Sequence, residues 1–130
     1  MLMQNVQQIS VKALIKKKGK VLMLQDEKGS WELPGGRVEF GEDPIITMRR
    51  ELKEEMSVEV RSIGNIVGVK TFMVEKSDVK KQIVLIVFSC EIGGESIILD
   101  HESQRYAWIS PSDVSGYPMK DVYKDLLRES

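Results

Sequence analysis

The sequence predicts an α/β fold, a mixed β-sheet covered by helices. Two observations predict it. Short apolar runs, separated by glycine or polar turns, lie on both sides of one amphipathic helical segment. The order strands, helix, strands, helix, with several hairpins, fits neither an all-α nor an all-β domain. The 130 residues are expected to form one domain, 1–130, large enough for a real core.

Each element has its own signal. Val11 to Ile15 reads as a strand, Lys16-Lys17-Lys18-Gly19-Lys20 as a turn and Val21 to Gln25 as the returning strand. The lysines read as a solvated hairpin tip, with phosphate binding as the alternative. Asp26 to Ser30 is a loop, and Trp31-Glu32-Leu33 a short strand before Pro34. Asp43 is a good N-cap, because its carboxylate can accept from the free amides of the first turn. Pro44 then sits at the first helical position, where its missing N–H costs nothing. At roughly 100° per residue, Ile45, Met48, Leu52 and Met56 share one face. Val58 to Ile63 and Ile66 to Val74 read as strands, Glu75 to Lys80 as a polar turn, and Lys81 to Ile92 as the strand pairing back. Within the last, Ile83 to Cys90 is an apolar run that reads as buried. Gly93-Gly94 breaks the chain, and Arg105 to Ile109 is the last strand. Pro111 to Val114 opens a helical turn, and Met119 to Arg128 is a C-terminal helix.

Composition narrows the function classes. Charged residues are 30% and apolar residues 42%, which fits a soluble globular chain rather than a disordered one. A formal net charge of -1 gives no bulk attraction to nucleic acid or to an anionic membrane. Cys90 is the only cysteine, so no internal disulfide is possible, and with no basic neighbour it reads as an inert buried thiol. The N-terminus lacks the pattern of a signal peptide, and no apolar run reaches the roughly 18 residues of a membrane span. The expected location is the cytoplasm.

The chemistry lies in residues 35 to 58. A Gly35-Gly36 turn leads into a helix that carries Arg50, Glu51, Glu54 and Glu55, with Glu42 just before it. Glu51 and Glu55 are one turn apart, so their carboxylates can converge on one ion. Without a cation the arrangement is unfavourable. Like charges at these spacings repel by a few tenths of a kcal/mol per pair, and the last helical turn disfavours anions. Arg50 can pair with Glu54 or Glu42, which suits it to orienting carboxylates rather than touching substrate. The bland alternative is a solvated acidic helix face.

This segment resembles the signature of the Nudix hydrolases. That signature is Gly, five residues, Glu, seven residues, Arg-Glu, an apolar residue, any residue, Glu-Glu, any residue, Gly and an apolar residue. Gly36, Glu42, Arg50, Glu51, Leu52, Glu54, Glu55 and Val58 fit, and Ser57 stands where the family has Gly. Trp31-Glu32-Leu33-Pro34-Gly35-Gly36 and Tyr106-Ala107-Trp108-Ile109-Ser110 also look like the family's approach to its metal loop and its late strand. The resemblance implies an α/β/α sandwich with a loop-helix-loop catalytic motif. It implies hydrolysis of a phosphoric anhydride in a nucleoside diphosphate linked to another group. Mg²⁺ is the expected ion, with Mn²⁺ as the alternative, since carboxylate oxygens suit hard cations. Its expected ligands are Glu51, Glu55 and Glu54, with the carbonyl of Gly35. Glu102, six residues before Trp108, matches a glutamate that some members bring to the metal from the opposite side; the bland reading is an exposed loop acid. His101 and Glu95 are expected to matter much less than Glu102.

Substrate identity is less legible. Met73 and Glu75 stand where some subfamilies carry a marker proline or tyrosine. The compact chain, with no N-terminal extension, looks like the nucleoside triphosphate pyrophosphohydrolases, including those acting on oxidised nucleotides. ADP-ribose or a nucleotide sugar is the alternative substrate. A non-catalytic nucleotide sensor and a structural ion-binding domain are the alternatives of another class. Trp31, Phe72, Tyr106, Trp108 and Tyr117 are all possible platforms for a base. The partner is a small nucleotide, the protein acting as a monomer or homodimer.

Overall fold

The computed structural model describes residues 3–94 and 96–130. Strand β1 (Gln4–Leu14) runs through a mixed sheet. The order is β5 (Gly35–Arg37), β1, β7 (Val79–Ile92), β6 (Val60–Lys76). β1 is antiparallel to β5 and parallel to β7, which is what makes the sheet mixed. The second sheet is antiparallel. Strand β3 (Lys20–Asp26) pairs with β2 (Lys16–Lys17), with β4 (Trp31–Glu32) and with β8 (Ser103–Ile109).

Two helices cover these sheets, α1 (Pro44–Met56) and α2 (Asp121–Glu129), with a 3₁₀ turn at Pro111–Gly116 before α2. Strand side chains alternate between two buried clusters, as a pleated strand requires. Val21 and Met23 of β3 pack with Tyr123, Leu126 and Leu127 of α2. Leu22 and Leu24 pack with Met48, Leu52 and Met56 of α1. That alternation produces the expected α/β/α layering. Among the described residues no helix is long and apolar enough to cross a membrane.

Several expectations are corrected. β1 starts at Gln4 rather than Val11, because its polar first half is held by a continuous ladder to β7 from Gln4↔Val79 onward. The two strands expected at 58–63 and 66–74 are one long β6, bent by register shifts near Val60, Ile63 and Ile66. The turn expected over Glu75 to Lys80 shrinks to Ser77 and Asp78, with Ser77 at φ 57. Ile83, Leu85 and Val87 are buried on one face of β7, while on the other face Val84, Ile86 and Phe88 are only partly buried and Cys90 is buried against the α1 cluster. Ile45 is 37% exposed and drops out of the buried face of α1, where Thr47 is buried instead.

Candidate active site

The loop ahead of α1 depends on two glycines. Gly35 has φ 140, and a β-carbon there would collide with the carbonyl of Val11 on the paired strand. A β-carbon on Gly36 would collide with the carboxylate of Glu51. Gly36 thus leaves a cradle in which that carboxylate lies against bare backbone. Asp43 caps α1 as its position suggests, accepting from the amide of Ile45 at 2.8 Å, and Pro44 follows.

Arg50 ties the acidic groups together. Its Nε donates to Glu42 Oε2 at 2.8 Å and its Nη2 to Glu42 Oε1 at 2.9 Å, a bidentate pair. Nη1 donates to Glu51 Oε1 at 2.9 Å and to Glu54 Oε2 at 3.4 Å. Thr47 Oγ1 adds a bond to Glu42 Oε1 at 2.6 Å. Hydrogen bonds from Arg50 and Thr47 hold the Glu42 carboxyl down at about 2. Arg50 is in turn held above its ordinary value, chiefly by Glu42. Both partners named for Arg50 from sequence are therefore engaged, together with Glu51.

Glu55 lies on the other side of Glu51. Its Oε1 accepts from the amide of Gly35 at 2.8 Å. Burial pushes its carboxyl up to about 8, against the opposing pull of Lys12 and the Gly35 amide, while Glu51 and Glu32 push it further up. Burial also raises Glu51, and Arg50 opposes it. Glu51 and Glu55 therefore address the same Gly35-Gly36 turn. Glu54 is more exposed, at 57% of its side chain.

Sequence reasoning missed Lys12, which lies buried on β1. Burial would pull its ammonium down, but Tyr123, Glu32 and Glu55 outweigh that and hold it above the ordinary value. A lysine between Val11 and Ala13 reads as the solvent side of a half-buried strand. Only the packing of α2, which brings Tyr123, and of β4, which brings Glu32, shows it to be internal.

Glu102 is exposed, in the loop entering β8. Its amide donates to the Asp100 carboxylate at 3.1 Å. The same loop caps the C-terminal end of α1, with the Ile98 amide donating to the Met56 carbonyl at 3.0 Å and the Asp100 amide to the Glu55 carbonyl at 3.1 Å. The loop that carries Glu102 is thereby fixed to the acidic end of the helix. The Glu102 carboxylate makes no hydrogen bond or ion pair with another described residue. His101 is exposed, and Glu95 lies outside the described residues. Ser57 ends α1 in the left-handed region, at φ 58 and ψ 35, where glycine would be at ease. Cys90 is buried, and burial pushes its thiol up to about 11, as suits an inert role. Trp31 is core, with its ring edge-on to Tyr117, which leaves Phe72, Tyr106, Trp108 and Tyr117 with accessible surface.

Among the described residues no three acidic side chains form a ready-made cage. Arg50 binds Glu51 and Glu54, while the Gly35 amide binds Glu55. The donor set nonetheless suits a hard divalent cation. It is all oxygen, the cradle at Gly36 leaves Glu51 room, and Glu55 is a partly buried carboxylate whose ionised form burial disfavours. A cation at this turn would favour that form.

Known proteins resemble this chain in sequence and in fold. The family described as the NUDIX domain matches residues 6–129. Nucleoside triphosphatase NudI of Escherichia coli is 27% identical over 110 residues, covering 77% of this chain and 75% of its own. A MutT-like protein of Streptomyces ambofaciens is 31% identical over 111 residues, covering 85% of this chain and 67% of its own. The crystal structure of the MutT protein from Methanosarcina mazei Go1 superposes with a TM-score of 0.81 at 28% identity, covering 97% of this chain and 94% of that one. Agreement in sequence and in fold along nearly the whole length makes this chain a member of the Nudix hydrolases, enzymes that act on phosphoric anhydrides.

Proposed function

We propose that the chain is a Mg²⁺-dependent nucleoside triphosphate pyrophosphohydrolase, with oxidised nucleotides among its candidate substrates. The observation that carries this reading is that Glu51 and Glu55 both reach the Gly35-Gly36 turn, with Glu55 partly buried and its carboxyl pushed up by burial. Glu51 and Glu55 would hold the ion, helped by Glu54, the Gly35 carbonyl and Glu102. When bound, Mg²⁺ supplies charge neutralisation on the phosphate oxygens and a more acidic water. Mn²⁺ satisfies the same ligand chemistry.

The chain's own residues do the rest. Arg50 keeps Glu51 and Glu54 oriented through its clamp on Glu42. Glu102, or a glutamate of the helix, takes the proton of the attacking water. Water adds at one of the two phosphorus atoms of the α–β anhydride, the bond from that phosphorus to the bridging oxygen breaks, and that oxygen leaves on the other fragment, so that the products are a nucleoside monophosphate and pyrophosphate. A cleft of about 320 Å³ adjoins Gly36 and is lined by Lys12, Glu32, Phe72 and Tyr123 among others. A nucleotide with its base and sugar there would place its phosphates at the glycine turn, with Phe72 as its apolar platform. The names of the relatives, a nucleoside triphosphatase and MutT-like proteins, support this substrate class.

The test is a panel of nucleoside triphosphates, ADP-ribose, dinucleoside polyphosphates and nucleotide sugars with Mg²⁺, with products identified. The expected outcome is the highest kcat/KM for a triphosphate. Preference for ADP-ribose or a nucleotide sugar would move the assignment to that class. Binding without turnover of any of them would make the chain a sensor.

A further inference from the structure

We infer that a second cleft, formed by Lys16, Lys17, Arg61, Tyr106 and Trp108, binds a nucleotide: a planar base carrying phosphate. This cleft has a volume of about 530 Å³ and shares no lining residue with the one beside Gly36. It lies between the β2–β3 hairpin, β8, and the ends of β6 and β7 that carry Arg61, Glu91 and Gly93-Gly94.

Its charge is distinctive in a chain of net charge -1. Three cations line it against one described carboxylate, Glu91. Lys16, Lys17 and Arg61 are exposed, and none forms an ion pair with a described carboxylate. Three cations gathered around one carboxylate still repel one another, and an anion that bridges them relieves that repulsion. A solvated hairpin tip accounts for the two lysines alone. It does not account for Arg61, which arrives from β6 in the other sheet.

The aromatic half of the cleft is equally specific. Tyr106 and Trp108 are two residues apart on β8, so both point to the same face. Lys17 Nζ already lies 5.9 Å from the centre of the Trp108 ring. Tyr106 is 43% exposed, an open ring beside a cationic rim. A base stacking there would bring its phosphate within the reach of Lys16, Lys17 and Arg61, where charge-assisted bonds are strong. Inorganic phosphate would use only the cations, and a nucleoside only the rings, so the two halves together select a nucleotide.

The test is a two-dimensional amide NMR titration of the chelated, metal-free protein with AMP, adenosine and inorganic phosphate as separate probes. The expected result is that AMP shifts the amides of Lys17, Gly93, Gly94 and Tyr106. It should bind there at least about tenfold more tightly than either half alone. Arg61→Glu should weaken AMP at this cleft by at least about tenfold, and Lys17→Ala should weaken it measurably. Both side chains are exposed, so thermal midpoints should stay within roughly 2 °C of the parent. Shifts at Gly35 and Gly36, which report the other cleft, should respond to neither substitution. The inference is overturned if millimolar AMP shifts none of the four amides, or if its binding survives both substitutions. Phosphate alone binding as tightly as AMP would overturn the assignment of a nucleotide.

Discussion

Glu55 accepts the backbone amide of Gly35 at 2.8 Å, across twenty residues of sequence. This bond pins the last turn of α1 to the loop that precedes the helix. It also fixes a partly buried carboxylate beside the Gly35-Gly36 turn, where we propose that the cation is held. Most of the expected behaviour of the site follows from this pair.

Glu55→Gln removes a charge that is disfavoured in the metal-free protein. Turnover should fall by at least about a hundredfold, or roughly 2.7 kcal/mol of barrier, while metal-free stability stays equal or rises. The pH dependence has a definite sign. The Glu55 carboxyl stands at about 8 when folded, against an ordinary 4.5. Between those values the folded protein binds more protons than the unfolded one, so stability is greatest at low pH and falls as pH rises towards about 8. Thermal midpoints in chelator across this range should show that decline in the parent and a flatter profile in Glu55→Gln. Near-normal turnover by the variant would remove Glu55 from the metal site.

The two glycines should separate stability from activity. Gly35→Ala forces a β-carbon into the Val11 carbonyl at a φ that L-residues avoid, and should cost about 2–3 kcal/mol or more. Gly36→Ala meets only the flexible end of Glu51, so its cost in stability should be about 1 kcal/mol or less. It displaces the carboxylate, however, and turnover should fall by about tenfold or more. Thermal melts and kcat for the two variants should diverge in this way.

Ser57→Gly should stabilise the protein by roughly 1 kcal/mol, because Ser57 occupies the left-handed region at φ 58. Turnover should be little changed, since Ser57 supplies no charge to the site. Chemical denaturation gives the first quantity and steady-state kinetics the second.

Much of this site was legible because its signals are local. The cap at Asp43, Pro44, and the spacing of Met48, Leu52 and Met56 fix α1 within one stretch of chain. Glu51, Glu54 and Glu55 follow from the same helix, and Arg50 engages the partners that its spacing allows. What escaped depends on distant contacts. The polar start of β1 is a strand only because β7 lies beside it. Lys12, Glu32 and Tyr123 come from three elements and meet only when the sheets and α2 pack. The buried charge of Lys12 leaves no periodic trace.

Glu102 offers a sharper test of the loop. The loop is anchored to α1 through the carbonyls of Glu55 and Met56, while the Glu102 side chain is exposed. Glu102→Gln should therefore lower the maximal rate by about tenfold or more with little change in thermal midpoint. His101→Ala should do much less. Unchanged rates for Glu102→Gln at both limiting and saturating Mg²⁺ would return this residue to the solvated loop.

The most direct measurement is hydrolysis of a nucleoside triphosphate by protein freed of divalent ions with a chelator, followed by readdition of Mg²⁺. Turnover should vanish on chelation and return with Mg²⁺, releasing a nucleoside monophosphate and pyrophosphate, because carboxylates at this spacing serve a hard cation. Full turnover in a verified metal-free preparation would contradict the account.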